Sequence, residues 1–300
     1  MRIAQIPAFL ILAAAAVTTA TAAADTVKVF VLAGQSNMEG KASNELISHQ
    51  ATDGKTSSYF EHLRKDGEWT VRDDVFIKFL ERKGGLTIGY GSPTKTGTEL
   101  EFGHMMGERF EDPVLLIKAA WGGHSLFQNF RPPSAGMPAD EVLAAELKAA
   151  QQRVVDANEK DKKNDPLPTM EDIKAPYGAS YRNMMREVED TFANYESLFP
   201  ELKGKKLEVA GFVWFQGFND MFGDVAPGDY ASNMKHFIND VRKDFGKQQL
   251  PFVIAAIGNN GSKPASGGML TVQTAQLSMN DVPEFKGNVK AFPTDVLVDK

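Results

Sequence analysis

The fold is decided by residues 27–40, which read VKVFVLAGQSNMEG. The first seven are apolar almost without a break, and a continuous apolar run of this length is typical of a strand buried on both faces of a parallel sheet. The run ends at Gly34, where a tight turn is possible, and Ser36 follows it closely. This strand and turn predict an α/β fold with a ligand site at the carboxyl end of the strand.

Other apolar runs predict the rest of the sheet. Helical patterns over residues 181–198 and 230–245 precede the third and fourth runs, and such alternation predicts a parallel sheet of about five strands with helices on both faces. Residues 41–100 form a polar, glycine-rich excursion, and residues 139–165 predict one charged, solvent-facing helix. The four further predicted strands are Val114–Ala120, Val209–Phe215, Phe252–Ile257 and Val289–Phe292.

The composition excludes several classes of function. The 33 basic and 39 acidic residues give a net charge of -6, so no basic field gathers phosphates and nucleic acid is not an expected partner. The chain has 0 cysteines, which excludes disulfides, thiolate zinc sites and cysteine nucleophiles. No histidine or carboxylate spacing indicates a metal, and the glycine-rich residues 84–91 lack the lysine of a phosphate-binding loop. We therefore expect no cofactor and no metal.

Residues 1–24 predict a signal peptide. A basic start leads into an apolar stretch over residues 3–17, which is too short to span about 30 Å of hydrocarbon. Small residues follow, with an Ala-x-Ala site at Ala22–Ala24. We expect cleavage before Asp25, which leaves one bacterial, secreted or periplasmic domain of residues 25–300 with no membrane association. The open alternative is an uncleaved membrane anchor.

Polar loops follow three of the predicted strands. Ser36 follows the first, the pair Gly122 and Gly123 follows the second, and Asn219 follows the third. Because all carboxyl ends of a parallel sheet point one way, these residues are expected to converge. Acyl transfer needs a hydroxyl nucleophile and fixed donors around the oxygen that becomes negative, a combination that Ser36, a glycine N–H and the Asn219 amide can supply. For Ser36 alone, the alternative is a helix cap.

Together, the blocks GQSNM (34–38), WGG (121–123) and WFQGFND (214–220) resemble the signature blocks of the SGNH hydrolases. More narrowly, they resemble the sialate O-acetylesterase-like branch, which is related to carbohydrate esterase family six. The resemblance covers most of the chain after the leader and implies a flavodoxin-like three-layer α/β/α sandwich. It also implies that Ser36 is the nucleophile, that Gly122 or Gly123 and Asn219 complete the oxyanion hole, and that Gln216 lines the pocket. Further binding candidates beside these blocks are Gln35, Asp220, His124 and Trp121.

One block of the family pattern is missing. The family ends in Asp-x-x-His, where the histidine takes the proton of the serine and the aspartate orients the ring. Here Asp295 is followed three residues later by Val298, and no such block precedes Lys300. We expect the sequence to be truncated before its last helix, because the last strand would otherwise lack a cover. The alternatives are a different base, for which His124 lies nearest, or a protein that does not hydrolyse esters.

The sequence thus predicts an exported carbohydrate O-acetylesterase, a carboxylic ester hydrolase that acts on an acetylated sugar or polysaccharide without a cofactor. A non-catalytic glycan-binding protein with the same fold and pocket is the main alternative. A flavin or nucleotide binder is a more distant one, since the predicted sheet is flavodoxin-like. Near the loops, Trp121, Trp214 and Tyr177 either stack on a sugar ring or belong to the core.

Overall fold

The structure, a computed structural model, describes residues 25–258 and 263–297. The predicted signal peptide lies outside the described residues. Within the ranges that are described, no helix is both long enough and apolar enough to cross a membrane.

The secondary structure alternates between strands and helices. The strands are β1 (Thr26–Gly34), β2 (Ala42–Ser43), β3 (Arg64–Lys65), β4 (Glu68–Trp69), β5 (Val75–Phe79), β6 (Arg82–Gly85), β7 (Lys95–Thr96), β8 (Val114–Ala120), β9 (Lys206–Phe215), β10 (Phe252–Ala256) and β11 (Val289–Pro293). The α-helices are α1 (Ser36–Glu39), α2 (Asn44–Gln50), α3 (Glu99–Arg109), α4 (Asp140–Asp161), α5 (Met170–Lys174), α6 (Ala179–Leu198), α7 (Ala226–Asp244) and α8 (Gly267–Leu277).

The main sheet has seven strands in the order β11-β10-β9-β1-β8-β5-β6. Neighbouring strands are parallel except for β6, which is antiparallel to β5. All five strands expected from the sequence are present, and the expected three-layer α/β/α fold is confirmed. The sheet is wider than expected because residues 41–100 contribute β5 and β6. The apolar run of β5 pairs with β8 and covers what would otherwise be an open sheet edge.

The side chains of β1 alternate between two apolar layers. Val29 and Val31 belong to the core that contains residues of α6, α7 and α8, whereas Phe30 and Leu32 pack with residues of α3. Both faces of the strand are therefore dry, which accounts for its uninterrupted apolar sequence. The predicted charged helix is α4, in which only Leu143 is buried.

The register aligns the ends of the three central strands. Gly34, the last residue of β1, pairs with Ala120 of β8 on one side and with Phe215 of β9 on the other. A Cβ at Gly34 would lie 2.1 Å from the carbonyl oxygen of Phe215, so a side chain there would push β1 and β9 apart. The loops that follow these strands consequently leave the sheet at one level, on one rim.

Candidate active site

Ser36 is the first residue of α1, a single helical turn that follows β1. Gln35 occupies the N-cap position, and its N–H donates to the carbonyl oxygen of Phe215 at 3.1 Å. The helix has no side-chain cap, and the Ser36 hydroxyl bonds to no other residue of the described ranges. The alternative interpretation of Ser36 as a helix cap is therefore wrong. Ser36 is instead a half-buried residue at the rim, and its hydroxyl has no hydrogen-bond partner among the described residues.

The side chain of Gln35 orients Asn219. Gln35 Oε1 accepts from the Gly217 N–H and from Gln216 Nε2, both at 3.1 Å, which leaves its Nε2 to donate to Asn219 Oδ1 at 3.0 Å. The oxygen of the Asn219 amide is thus occupied, while its Nδ2 bonds to nothing in the described part of the chain. Because Ser36 adjoins Gln35, a free donor and a free hydroxyl lie on one rim. The sequence predicted Gln35 as a binding residue, but its side chain is 3% exposed and its polar atoms are bonded within the protein, so we correct its role to positioning this loop.

The N–H groups of Gly122 and Gly123 differ in whether they are hydrogen-bonded. The Trp121 N–H donates to the Gly34 carbonyl at 3.2 Å, and the Gly122 N–H donates to Glu39 Oε2 at 2.8 Å. Gly123 has a φ of 82°, in the left-handed region, and its N–H has no partner among the residues described. Of the two candidate donors from the sequence, the geometry therefore supports Gly123.

Gln216 and Asp220 lie beneath the rim. Gln216 is 1% exposed, and its Nε2 donates to the His124 carbonyl at 3.0 Å and to Asp220 Oδ2 at 2.5 Å. Asp220 is 0% exposed and also accepts from the Leu126 and Phe127 N–H groups at 2.8 and 2.7 Å. The sequence predicted that Gln216 lines the pocket and that Asp220 is a binding residue. Both predictions are corrected, because the polar atoms of these buried side chains bond to loops of the protein. Burial, partly offset by these hydrogen bonds, raises the pKa of Asp220 to about 6.

His124 is fixed by neighbours other than Ser36. Its ring stacks on Trp121 with centroids 6.2 Å apart, and Nδ1 is 2.7 Å from Ser180 Oγ. No hydrogen bond links the ring to Ser36 in the described structure. Burial lowers the pKa of His124, which favours the neutral imidazole at pH 7.

The three aromatic residues that sequence left open fall into two groups. Trp214 is 0% exposed and Tyr177 is 4% exposed, so both belong to the core. Trp121 is half-buried at the rim. Sequence reasoning missed a second aromatic feature, the exposed pair Phe218 and Phe222, whose ring centroids lie 5.3 Å apart. The sequence could have indicated this pair, because Phe218 and Phe222 lie on either side of the candidate residue Asn219.

Two cavities flank the rim. One of about 680 Å³ is bordered by Asn219, Phe222 and residues of α4. The other, of about 430 Å³, is bordered by Trp121, His124 and residues of the excursion. In residues 25–258 and 263–297, no three or more histidine, aspartate or glutamate side chains form a group that could hold a metal ion.

Comparison with known families decides the relationship. A family model described as carbohydrate esterase, sialic acid-specific acetylesterase, matches residues 26–160 and 169–295. The chain belongs to this family. The matched ranges contain all three rim loops, and the family is one of carbohydrate acetylesterases. No curated protein matches the chain.

Solved structures provide an independent comparison of the fold. A protein from Arabidopsis thaliana has a TM-score of 0.51 and 17% identity, over 90% of this chain and 86% of that one. NanS has a TM-score of 0.49 and 10% identity, over 91% and 78% of the two chains. A carbohydrate acetylesterase from Xanthomonas citri has a TM-score of 0.44 and 15% identity, over 89% and 49%. At these identities the Arabidopsis structure supports the shared fold and nothing further.

Proposed function

We propose that the protein is a serine O-acetylesterase that removes acetyl groups from carbohydrates, with Ser36 as the nucleophile. The observation that carries this proposal is the orientation of the Asn219 amide by Gln35, which leaves Nδ2 as a free donor on the rim where Ser36 begins α1. The free N–H of Gly123 supplies a second donor. Membership of a carbohydrate acetylesterase family agrees with this chemistry.

In the proposed reaction, Ser36 Oγ attacks the carbonyl carbon of the acetyl ester and its proton passes to a general base. The carbonyl oxygen becomes negative and accepts hydrogen bonds from the Ser36 and Gly123 N–H groups and from Asn219 Nδ2. Each such donor typically contributes about 3 kcal/mol to transition-state stabilisation. The ester C–O bond then breaks, the sugar hydroxyl leaves with a proton, and water hydrolyses acetyl-Ser36 to acetate.

The proposed reaction needs a general base that accepts the proton of Ser36. The resemblance assigns it to an Asp-x-x-His block, a pattern that the 300 residues do not contain. His124 is the histidine nearest the rim loops in sequence, but its Nδ1 is held by Ser180 and its ring stacks on Trp121. We therefore assign His124 to the wall of the pocket and expect its replacement by glutamine to lower kcat less than about tenfold, which is below the roughly 10²- to 10⁴-fold loss expected for a general base.

The sugar is proposed to occupy the cavity beside Asn219. This cavity of about 680 Å³ includes the exposed ring of Phe222, which pairs with Phe218. Exposed aromatic faces provide a large apolar contact area at a wet surface, which suits the apolar face of a pyranose ring. The sugar ring would therefore extend away from Ser36 toward α4.

The decisive experiment measures acetate release from acetylated sugars and from an aryl acetate. We expect Ser36→Ala to lower kcat by about 10³-fold or more, as loss of a nucleophile does in serine hydrolases. Ser197→Ala, on the exposed face of α6, is the matched control and keeps full activity. Equal rates for the wild type and Ser36→Ala would remove Ser36 from the mechanism. Binding of an acetylated glycan without acetate release would favour the glycan-binding alternative.

The same measurements decide the role of His124. A loss in His124→Gln as large as that in Ser36→Ala would make His124 the base.

Export is part of the proposal and rests on the leader sequence alone. It predicts that the protein recovered from the periplasm or the medium begins at Asp25, which N-terminal sequencing checks.

A further inference from the structure

We propose that Glu39 is a positioning residue that aims the Gly123 N–H at the acyl oxygen, an inference that rests on the proposed esterase function. Glu39 Oε2 accepts the Gly122 N–H at 2.8 Å. Glu39 also ends the single turn of α1 that Ser36 begins. One short helical turn thus carries both the nucleophile and the anchor of the loop that supplies a donor.

The anchor fixes the direction of the next peptide group. Trp121 donates to Gly34 and Gly122 donates to Glu39, so two successive N–H groups of the loop are held. The following peptide then presents the Gly123 N–H, unpaired among the described residues, at a left-handed turn. A Cβ at Gly122 would lie 2.9 Å from Glu39 Oε2, so the absence of a side chain there permits the contact. Small displacements of such a donor have large effects on rate.

The negative charge of Glu39 is compensated by contacts to Oε1, the carboxylate oxygen that does not bind Gly122. Its Oε1 accepts from Ser92 Oγ at 2.5 Å and pairs with Lys41 Nζ at 2.9 Å. Burial alone would raise the pKa of Glu39, but the hydrogen bonds from Ser92, Lys41 and the Gly122 N–H outweigh it and lower the pKa below its ordinary value. Glu39 is therefore an anion near the place where the reaction creates another anion, and Lys41 offsets the repulsion.

These contacts lead to two expectations. Glu39→Ala releases the loop, so kcat is expected to fall about 10- to 100-fold, somewhat less than when a donor is deleted, while KM changes less than about threefold. Glu39→Gln keeps an oxygen that can accept the Gly122 N–H and is expected to retain most of the activity. Glu208→Ala is the matched control, because Glu208 pairs with Lys28 near the start of β9, at the opposite end of the sheet.

The charge is tested by a double substitution. Lys41→Met leaves the Glu39 carboxylate uncompensated and is expected to lower kcat about three- to tenfold. Adding Glu39→Gln to Lys41→Met removes the repulsion and is expected to raise kcat again. A merely structural role would make the double variant worse than either single variant, which would overturn the proposal.

A second measurement does not depend on turnover. Hydrogen exchange of the Gly122 amide, followed by NMR, is expected to accelerate in Glu39→Ala and to stay slow in Glu208→Ala. Wild-type turnover in Glu39→Ala, or unchanged exchange at Gly122, would refute the positioning role. A wild type that releases no acetate would instead refute the proposed esterase function, and the exchange experiment would still decide whether Glu39 holds the loop.

Discussion

Two buried polar clusters lie on opposite sides of β1 and are built from different chemistry. On the β9 side, an amide network lies beneath the candidate site and consists of Gln35, Gln216, Asp220, Tyr230 and Gln276. On the β8 side, a buried ion pair joins Lys118 of β8 to Glu99 of α3 at 2.7 Å, with both side chains 0% exposed.

The hydrogen bonds of the amide network fix the orientation of the side-chain amides in it. Tyr230 donates to Gln216 Oε1 at 3.0 Å, and Gln276 Nε2 donates to the Tyr230 hydroxyl at 3.0 Å. With the bonds of Gln35, these contacts tie β1, β9, α7 and α8 together under the rim. An amide has one donor end and one acceptor end, and the Tyr230 hydroxyl accepts from one amide and donates to another, so each amide sets the orientation of the next. The network ends at Asn219, whose free donor is thereby aimed.

The buried ion pair contributes to the stability of the fold by holding the excursion of residues 41–100 against the sheet. Lys118 Nζ also donates to the Tyr90 carbonyl at 2.8 Å and lies 4.6 Å from the ring centroid of Phe79. It thus attaches the end of the excursion to the sheet. Burial, opposed by the charge of Glu99, lowers the pKa of Lys118. The contrast indicates that disturbing the pair affects stability, whereas disturbing the network affects turnover.

The largest effect is expected from Lys118→Met. This substitution leaves the Glu99 charge buried and unpaired, which is expected to lower the free energy of unfolding by about 3–5 kcal/mol. Chemical denaturation measures the loss. The kcat of the fraction that remains folded should stay within about threefold of wild type, because the pair aims no donor into the site.

The double variant Lys118→Met with Glu99→Gln is the control. It removes both charges and keeps an oxygen for the Gly97 N–H, which Glu99 accepts at 2.8 Å. Most of the lost stability is expected to return. If Lys118→Met cost less than about 1 kcal/mol, the range of an exposed pair, the interpretation of the pair as an anchor would be wrong.

A smaller effect, on turnover, is expected from Gln35→Glu. The introduced carboxylate can still accept from Gly217 and Gln216, but it cannot donate to Asn219 Oδ1. The Asn219 amide then rotates, so that Nδ2 faces the carboxylate and the oxygen faces the candidate site. Losing this donor is expected to lower kcat about 10²- to 10³-fold.

Steady-state kinetics and denaturation of the same samples separate the two effects. Gln152→Glu makes the same chemical change on the exposed surface of α4 and should alter neither quantity. A folded Gln35→Glu variant with wild-type kcat would show that Asn219 is not oriented by Gln35, and the contrast between the two clusters would be lost.

Much of this rim could be predicted from the sequence, because the apolar sequence of β1 fits few structures other than a buried strand. Residues 29–32 are apolar in succession, so the strand must be buried on both faces, and parallel neighbours then bring their loops to one edge. The convergence of Gln35 and Asn219 across 184 residues follows from that geometry. The confirmed α/β fold rests on the same argument.

The rest depended on contacts that residue types do not reveal. The strand β5 is a run of 5 residues that lies inside a polar, glycine-rich excursion, where the surrounding turn signals favoured a loop. Gln216 and Asp220 look like pocket residues, since a polar side chain after a strand gives no sign of whether it faces solvent or a buried partner. The bond between Glu39 and Gly122 could not be predicted for the same reason, although Glu39 belongs to the stretch 27–40 that decides the fold.

Asp220 is the charged member of the amide network, and it gives the smallest effect, a pH dependence of stability. Burial raises its pKa from the ordinary value of 3.8 to about 6, so the folded state binds more protons than the unfolded state between these values. The stability that Asp220 contributes is therefore full at low pH and falls as the pH rises through about 4 to 6. One pKa unit is worth about 1.4 kcal/mol, so the loss is at most about 3 kcal/mol.

Denaturation of the wild type and of Asp220→Asn at several pH values between about 4 and 7 measures this dependence. Asparagine does not titrate, so the stability of the wild type relative to the variant should fall with rising pH and then level off. The opposite slope would mean that the hydrogen bonds from Leu126, Phe127 and Gln216 outweigh burial and hold an anion in the folded state. The amide network would then depend on a charge, as the buried ion pair does. The two clusters would no longer differ in that one orients the Asn219 donor and the other stabilises the fold.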